Sequence, residues 1–241
     1  MDYPAAYVPH GAVTAEQADG LAAKWVLERK AQLGGTILVY LPTKRVADSH
    51  PILGGLIRQR AAVEATWKTM MGTGWSGGPV IAAWPDRTHL ADIAKDRRTR
   101  ALCVLGWNEK DTEGWARAVS PEVLAGKESF ATVNLADPIV VAALTTLTHL
   151  VNQNNALTDP TDKDIAVTIL RELRKHGHRL DPDDIYSWAL AQGWNDRGAE
   201  RLRQLIVDMN AGKRPRASGN PLRPDIYSTW VTDAEGSPDR P

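Results

Sequence analysis

Three short apolar runs, Thr36–Leu41, Pro79–Trp84 and Ala101–Leu105, alternate with stretches whose apolar residues recur at helical spacing. This alternation constrains the fold more than any other feature. A run such as Thr36-Ile37-Leu38-Val39-Tyr40-Leu41 is apolar on both alternating faces, so it suits a strand covered on both sides rather than a half-exposed one. Strands that alternate with helices in this way build βαβ units and a parallel sheet.

The helical stretches have their own signatures. Thr14-Ala15-Glu16-Gln17 is a capping-box pattern that opens a helix carrying Leu21, Trp25 and Leu33, and Gly34-Gly35 ends it. Leu53, Leu56, Ile57, Val63, Trp67 and Met70 predict one helix over 52–71, Asp86 caps a helix through Leu90 and Ile93, and Asp111–Ala118 is a short helix with Trp115 inward. A weaker fourth strand is expected at Phe130–Leu135. The expected fold is therefore α/β: an N-terminal helical segment over 1–33, then a small Rossmann-like domain over 34–136 with a three- or four-stranded parallel sheet.

After Asp137-Pro138, a cap followed by proline at the first helical position, the strands stop. An all-helical domain is expected over 137–212, with helices at 138–153, 162–176, 182–192 and 196–210. Thr161 and Asp181 are the expected N-caps, and Gly177, Gly193 and Gly212 follow three of the ends. The proline-rich stretch 213–241 reads as an extended tail.

Composition narrows the function classes. With 43% hydrophobic residues the 241-residue chain can bury a core, and Lys+Arg equals Asp+Glu at 29 each, so no global field points to nucleic acid or to a basic partner. Cys103, the single cysteine, cannot form an internal disulfide, which fits a cytoplasmic protein. No segment reaches the roughly 18 apolar residues of a membrane span, and none reads as a signal peptide. His176-Gly177-His178 straddles a helix end, and no His, Cys and carboxylate group has metal-ligand spacing, so neither a metal nor a cofactor site is expected.

Two places concentrate polar chemistry. In open parallel sheets, ligands bind beyond the carboxyl ends of the strands. Those ends are Thr43, Lys44 and Arg45 after the first run, Asp86 and Arg87 after the second, and Asn108 and Glu109 after the third. Lys44, Arg45 and Arg87 suit a phosphate, and Asp86 or Glu109 a ribose hydroxyl or the role of a base. A phosphorylated or nucleotide-like ligand follows. Gly72–Gly78 precedes a strand instead of following one, so it is not a phosphate-binding loop. Leu41-Pro42-Thr43-Lys44 after its apolar strand resembles the second RecA-like lobe of helicases, without a Walker loop or acidic box beside it.

The second place is Ile185–Leu202. With Ala189 four residues before Gly193, and Trp188, Trp194, Ala199 and Leu202 on apolar positions, it resembles the helix-turn-helix pattern, in which Gln192 occupies an expected apolar position. The resemblance implies that the second helix, with Arg197, Arg201 and Gln204 outward and Lys213, Arg214 and Arg216 beyond it, meets DNA. Arg197–Arg216 holds six Lys+Arg against two Asp+Glu. The expected function is recognition: a nucleotide-like ligand on the α/β part, and nucleic acid or a protein partner on the helical part. The rivals are an enzyme using Asp86 or Glu109 with Lys44 and Arg45, and a non-catalytic adaptor whose Trp residues bury a partner surface.

Overall fold

The computed structural model describes residues 3–69, 74–127, 130, 135–152, 156–219 and 221–236. The chain divides into two compact units, Met1–Thr132 and Val133–Pro241.

In the first unit the order is β1 (Ala5–Val8), α1 (Ala15–Leu33), β2 (Ile37–Leu41), α2 (Arg45–Ser49), α3 (Pro51–Arg58), β3 (Ala62–Thr66), β4 (Gly78–Ala83), α4 (Arg87–Lys95), β5 (Thr99–Leu105), α5 (Glu109–Val119) and β6 (Glu122–Val123). The six strands form one sheet in the order β3-β2-β4-β5-β1-β6. Every pairing in it is parallel. The α/β class and the parallel sheet are as expected; the strand number is not.

Three strands escape the sequence pattern. β1 and β6 are four and two residues long. β3 lies inside the helix expected over 52–71: that helix ends at Arg58, and the chain turns at Arg60, whose φ is 56°. The fourth strand expected at Phe130–Leu135 falls largely outside the described residues, and Phe130 is irregular, its ring 5.4 Å from that of Tyr7.

Strand alternation divides the core between the two faces. Ala6, Val8, Ile37, Val39, Leu41, Ile81, Ala83, Ala101, Cys103 and Leu105 pack with α1, α2 and α3, through Ala22, Trp25, Val26, Ala47 and Leu53. Tyr7, Leu38, Tyr40, Val80, Ala82, Leu102 and Val104 pack on the other side with Leu90 and Ile93 of α4 and Trp115 of α5. Cys103 is fully buried in the middle of β5. Helices on both faces explain why β2, β4 and β5 are apolar without alternation. The capping box of α1 forms as expected, Gln17 N–H donating to Thr14 Oγ1 at 3.3 Å and Thr14 N–H to Gln17 Oε1 at 3.1 Å. Gly78 (φ 152°) opens β4 where a Cβ would stand 2.5 Å from the Thr36 carbonyl oxygen, so that position admits only glycine.

The second unit contains α6 (Pro138–Leu150), α7 (Pro160–Lys175), α8 (Pro182–Ala191), α9 (Asp196–Asn210) and α10 (Ile226–Gly236). Asp137 and Asp181 cap α6 and α8 as expected. For α7 the cap is Asp159, not Thr161; Pro160 then sits at the first helical position, and the Thr161 N–H is the donor that Asp159 accepts. Gly177, Gly193 and Gly212 all have φ near 80°. The stretch 213–241, read as an extended tail, instead holds α10, which packs on α6 and buries Trp230 completely. Among the described residues no helix is long and apolar enough to cross a membrane.

Candidate functional site

Because β2, β4, β5 and β1 are neighbours and parallel, their C-terminal ends share one edge of the sheet. The chain leaves β1 into α1 on one face and leaves the adjacent β5 into α5 on the other. Connections that part to opposite faces open a crevice between strand ends. A cavity of about 610 Å³ lies there, on the α1 side. Its walls come from the loop after β1 (Val8 to Gly11), the first turns of α1 (Ala15, Ala18, Asp19), Pro42 after β2, Val46 and Ser49 of α2 with His50 beyond it, Trp84 after β4, and Leu105 to Trp107 after β5. Most of that surface is apolar or aromatic.

Its polar centre is a buried pair. Asp19 Oδ2 lies 2.8 Å from His50 Nδ1 while Asp19 itself is only 1% exposed. The other carboxyl oxygen, Oδ1, is buried with no hydrogen-bond partner. Burial pushes the Asp19 carboxyl above its ordinary pKa and the nearby Glu16 charge adds to that, while the His50 hydrogen bond and charge oppose it. The His50 ring rests against Trp84, centroids 4.4 Å apart. Trp84 has φ 52°, an unusual conformation for a bulky residue, held by its N–H donating to the Leu105 carbonyl at 2.8 Å. Trp107 is 65% exposed and lies 4.7 Å from the His10 ring. Beneath this edge Gly106 passes so close to Tyr7 that a Cβ would meet the phenol oxygen at 2.5 Å.

The polar residues expected at this edge stand beside the cavity without lining it. Thr43, Lys44 and Arg45 are exposed between Pro42 and Val46, which do line it. Asp86 caps α4 by accepting from His89 N–H at 2.9 Å and also contacts His89 Nδ1 at 2.7 Å. Arg87 donates to the Lys110 carbonyl at 3.0 Å. Asn108 caps α5, and Glu109 is exposed in its first turn. Asp19, His50, Trp84 and Trp107 are not among the site residues expected from the strand ends. One signal was available: Asp19 sits in the stripe of Ala15, Ala18, Ala22 and Val26, a carboxylate on the apolar face of its own helix.

In the helical unit, α8 and α9 are joined through Gly193, and Ala189, Trp188, Trp194, Ala199 and Leu202 are all buried, while Gln192 is exposed. The basic residues of α9 are largely engaged. Arg201 donates to the Ala156 carbonyl at 2.8 Å, Arg203 pairs with Asp183 and Glu200, and Gln204 and Lys213 both bond Asp208. Arg197, Arg214 and Arg216 are exposed. Arg171, Arg174, Lys213 and Arg214 line a cleft of about 330 Å³. Among the described residues no group of three or more His, Cys, Asp or Glu could hold a metal ion.

The fold and edge cavity of the first unit define a three-layer α/β architecture with a ligand-sized crevice at its strand ends. Residues 136–231, within the helical unit, match a family described as a domain of unknown function, DUF1889. Comparison with curated proteins found no match, and comparison with solved structures found none.

Proposed function

We propose that the first unit is a recognition module that binds a ring-bearing, nucleotide-like molecule in the edge cavity. The observation that carries this reading is the cavity itself: about 610 Å³, at the strand ends, walled by apolar side chains and two tryptophans around one buried polar pair. Sites of this size with few polar groups suit flat organic ligands. A phosphate on such a ligand is met outside the cavity, by Lys44 and Arg45 between the lining residues Pro42 and Val46. Asp86 is committed to its helix cap and to His89, which argues against its use as a base.

The test is a thermal-shift and tryptophan-fluorescence panel of nucleosides and nucleotides. A ligand at 100 times its Kd stabilises by about 2.7 kcal/mol. Trp84→Ala weakens every binder, whereas Lys44→Ala with Arg45→Ala weakens only phosphorylated ones. A panel in which no member shifts the protein overturns the reading.

A second reading concerns the helical unit, where the cleft of Arg171, Arg174, Lys213 and Arg214 gathers cations that suit a polyanion better than the internally paired face of α9. Duplex binding that weakens steeply with salt, and is lost in Arg174→Glu with Arg214→Glu, supports it. Binding that ignores salt removes it.

A further inference from the structure

Two polar side chains of the cavity lining, Asp19 and His50, use only half of their hydrogen-bonding capacity. When Asp19 is ionised its carboxylate only accepts, and the proton in the Asp19–His50 contact then belongs to His50 Nδ1. In the neutral ring that leaves Nε2 as a bare acceptor. Among the described residues Nε2 has no hydrogen-bond partner, and His50 lines the cavity with its side chain 18% exposed. Asp19 is 1% exposed with its Oδ1 buried, and the Trp84 ring lies tilted against the His50 ring at 4.4 Å.

Of the other polar groups in the lining, the Trp84 and Trp107 indoles offer only N–H donors, and His10 is exposed. Ser49 donates its hydroxyl to the Val46 carbonyl at 3.1 Å, and His10 sits against Trp107. Val8, Pro42, Val46 and Leu105 offer no polar side-chain atom, and no Lys or Arg lines the cavity. An anion inside would meet the Asp19 charge with no cation to offset it. The buried part of the ligand is therefore neutral, and the partly buried side-chain acceptor open to it is His50 Nε2.

We propose that His50 is the specificity-determining anchor of this cavity: its Nε2 accepts a hydrogen bond from an O–H or N–H on the edge of a flat aromatic ring, and Asp19 is the positioning residue that fixes the tautomer. This rests on the cavity reading above and adds the chemical class of ligand. A ring whose donor is replaced by a methyl ether leaves Nε2 unpaired in an apolar site, and sites built to pair a donor reject analogues that lack it.

Two probes that differ by that one group, 2-naphthol and 2-methoxynaphthalene, test it on the full chain by tryptophan quenching and calorimetry. The wild-type protein binds 2-naphthol about tenfold more tightly or better. In His50→Phe the two affinities become equal while that for 2-methoxynaphthalene is kept. His50→Gln, which retains an acceptor, keeps part of the preference. Asp19→Asn lets an amide N–H face Nδ1, favours the opposite tautomer and shrinks the preference. Equal wild-type affinities, both weakened by Trp84→Ala, overturn the anchor and leave the cavity reading standing. No binding of either probe overturns both.

Discussion

Two of the aspartate–histidine pairs in this molecule, each joining distant elements, have nearly the same length and opposite fates. Asp19 Oδ2 and His50 Nδ1 are 2.8 Å apart in the first unit; Asp137 Oδ2 and His178 Nδ1 are 2.6 Å apart in the second. In the second pair nothing is left over. Asp137 also caps α6 by accepting from Ile139 and Val140 N–H, His178 Nε2 bonds the Tyr227 hydroxyl at 2.9 Å, and Tyr227 stacks on His176 and meets Trp230 edge-on. In the first pair one carboxyl oxygen and one ring nitrogen have no partner among the described residues, and the ring borders a cavity. A closed polar network fixes a fold, because each of its groups is compensated inside the protein. An open one keeps capacity for a molecule that is not part of the chain.

That contrast can be broken at several points. The largest expected effect lies in the closed network. Trp230→Ala removes a fully buried indole and its bond to Thr146, and costs about 3–5 kcal/mol, read as lost hydrogen-exchange protection in α6 and α10. Next, Asp19→Leu with His50→Phe exchanges a buried, poorly compensated pair for apolar groups and stabilises the first unit by about 1–4 kcal/mol in urea unfolding. The matching exchange, Asp137→Leu with His178→Phe, destabilises the second unit because it strips a helix cap. Equal signs for the two exchanges would erase the distinction drawn between the pairs.

Acidity sharpens it further. The raised Asp19 pKa means that the native state holds its proton where the unfolded chain has released it, so this group's contribution is most favourable in acid and declines as pH rises above the ordinary carboxylate range. Asp137 behaves oppositely. Burial raises its pKa, but His178 and the Val140 and Ile139 N–H groups together outweigh burial and hold it low, so its contribution is present above that range and is lost as pH falls. Unfolding of Asp19→Asn and Asp137→Asn across pH should therefore remove slopes of opposite sign. The smallest effect belongs to Asp86→Ala, which loses the α4 cap and costs about 1 kcal/mol in urea unfolding of the first unit without altering probe binding.

Caps and long apolar runs were legible in the sequence because their causes are local. Thr14 with Gln17, Asp137 with Pro138 and the run Ile37–Leu41 each contain their own explanation. β3 did not: Val63 and Trp67 continue the helical spacing of Leu53 and Leu56, and the turn between the two elements is made at Arg60 without a glycine or proline to mark it. α10 was hidden among prolines, since Trp230 finds its partner in Thr146, far back along the chain. The cavity was hidden for a similar reason. Charged residues at strand ends drew attention to the edge that holds the cavity, but aromatic neighbours of those residues form part of its walls. Asp19 meets His50 only because α1 lies across β5 and β4 before the chain enters β2. Pairings between distant elements are a property of topology, which spacing along the chain does not encode.

Cys103, enclosed at the centre of β5, gives the first unit a built-in recorder. Burial and the Glu122 charge both hold its sulfur in the protonated, unreactive form. An alkylating reagent can therefore mark the chain only during moments when the sheet parts. Since the sequence has one thiol, each thiol adduct registers one such excursion, and the rate of marking follows how often this half of the molecule comes apart.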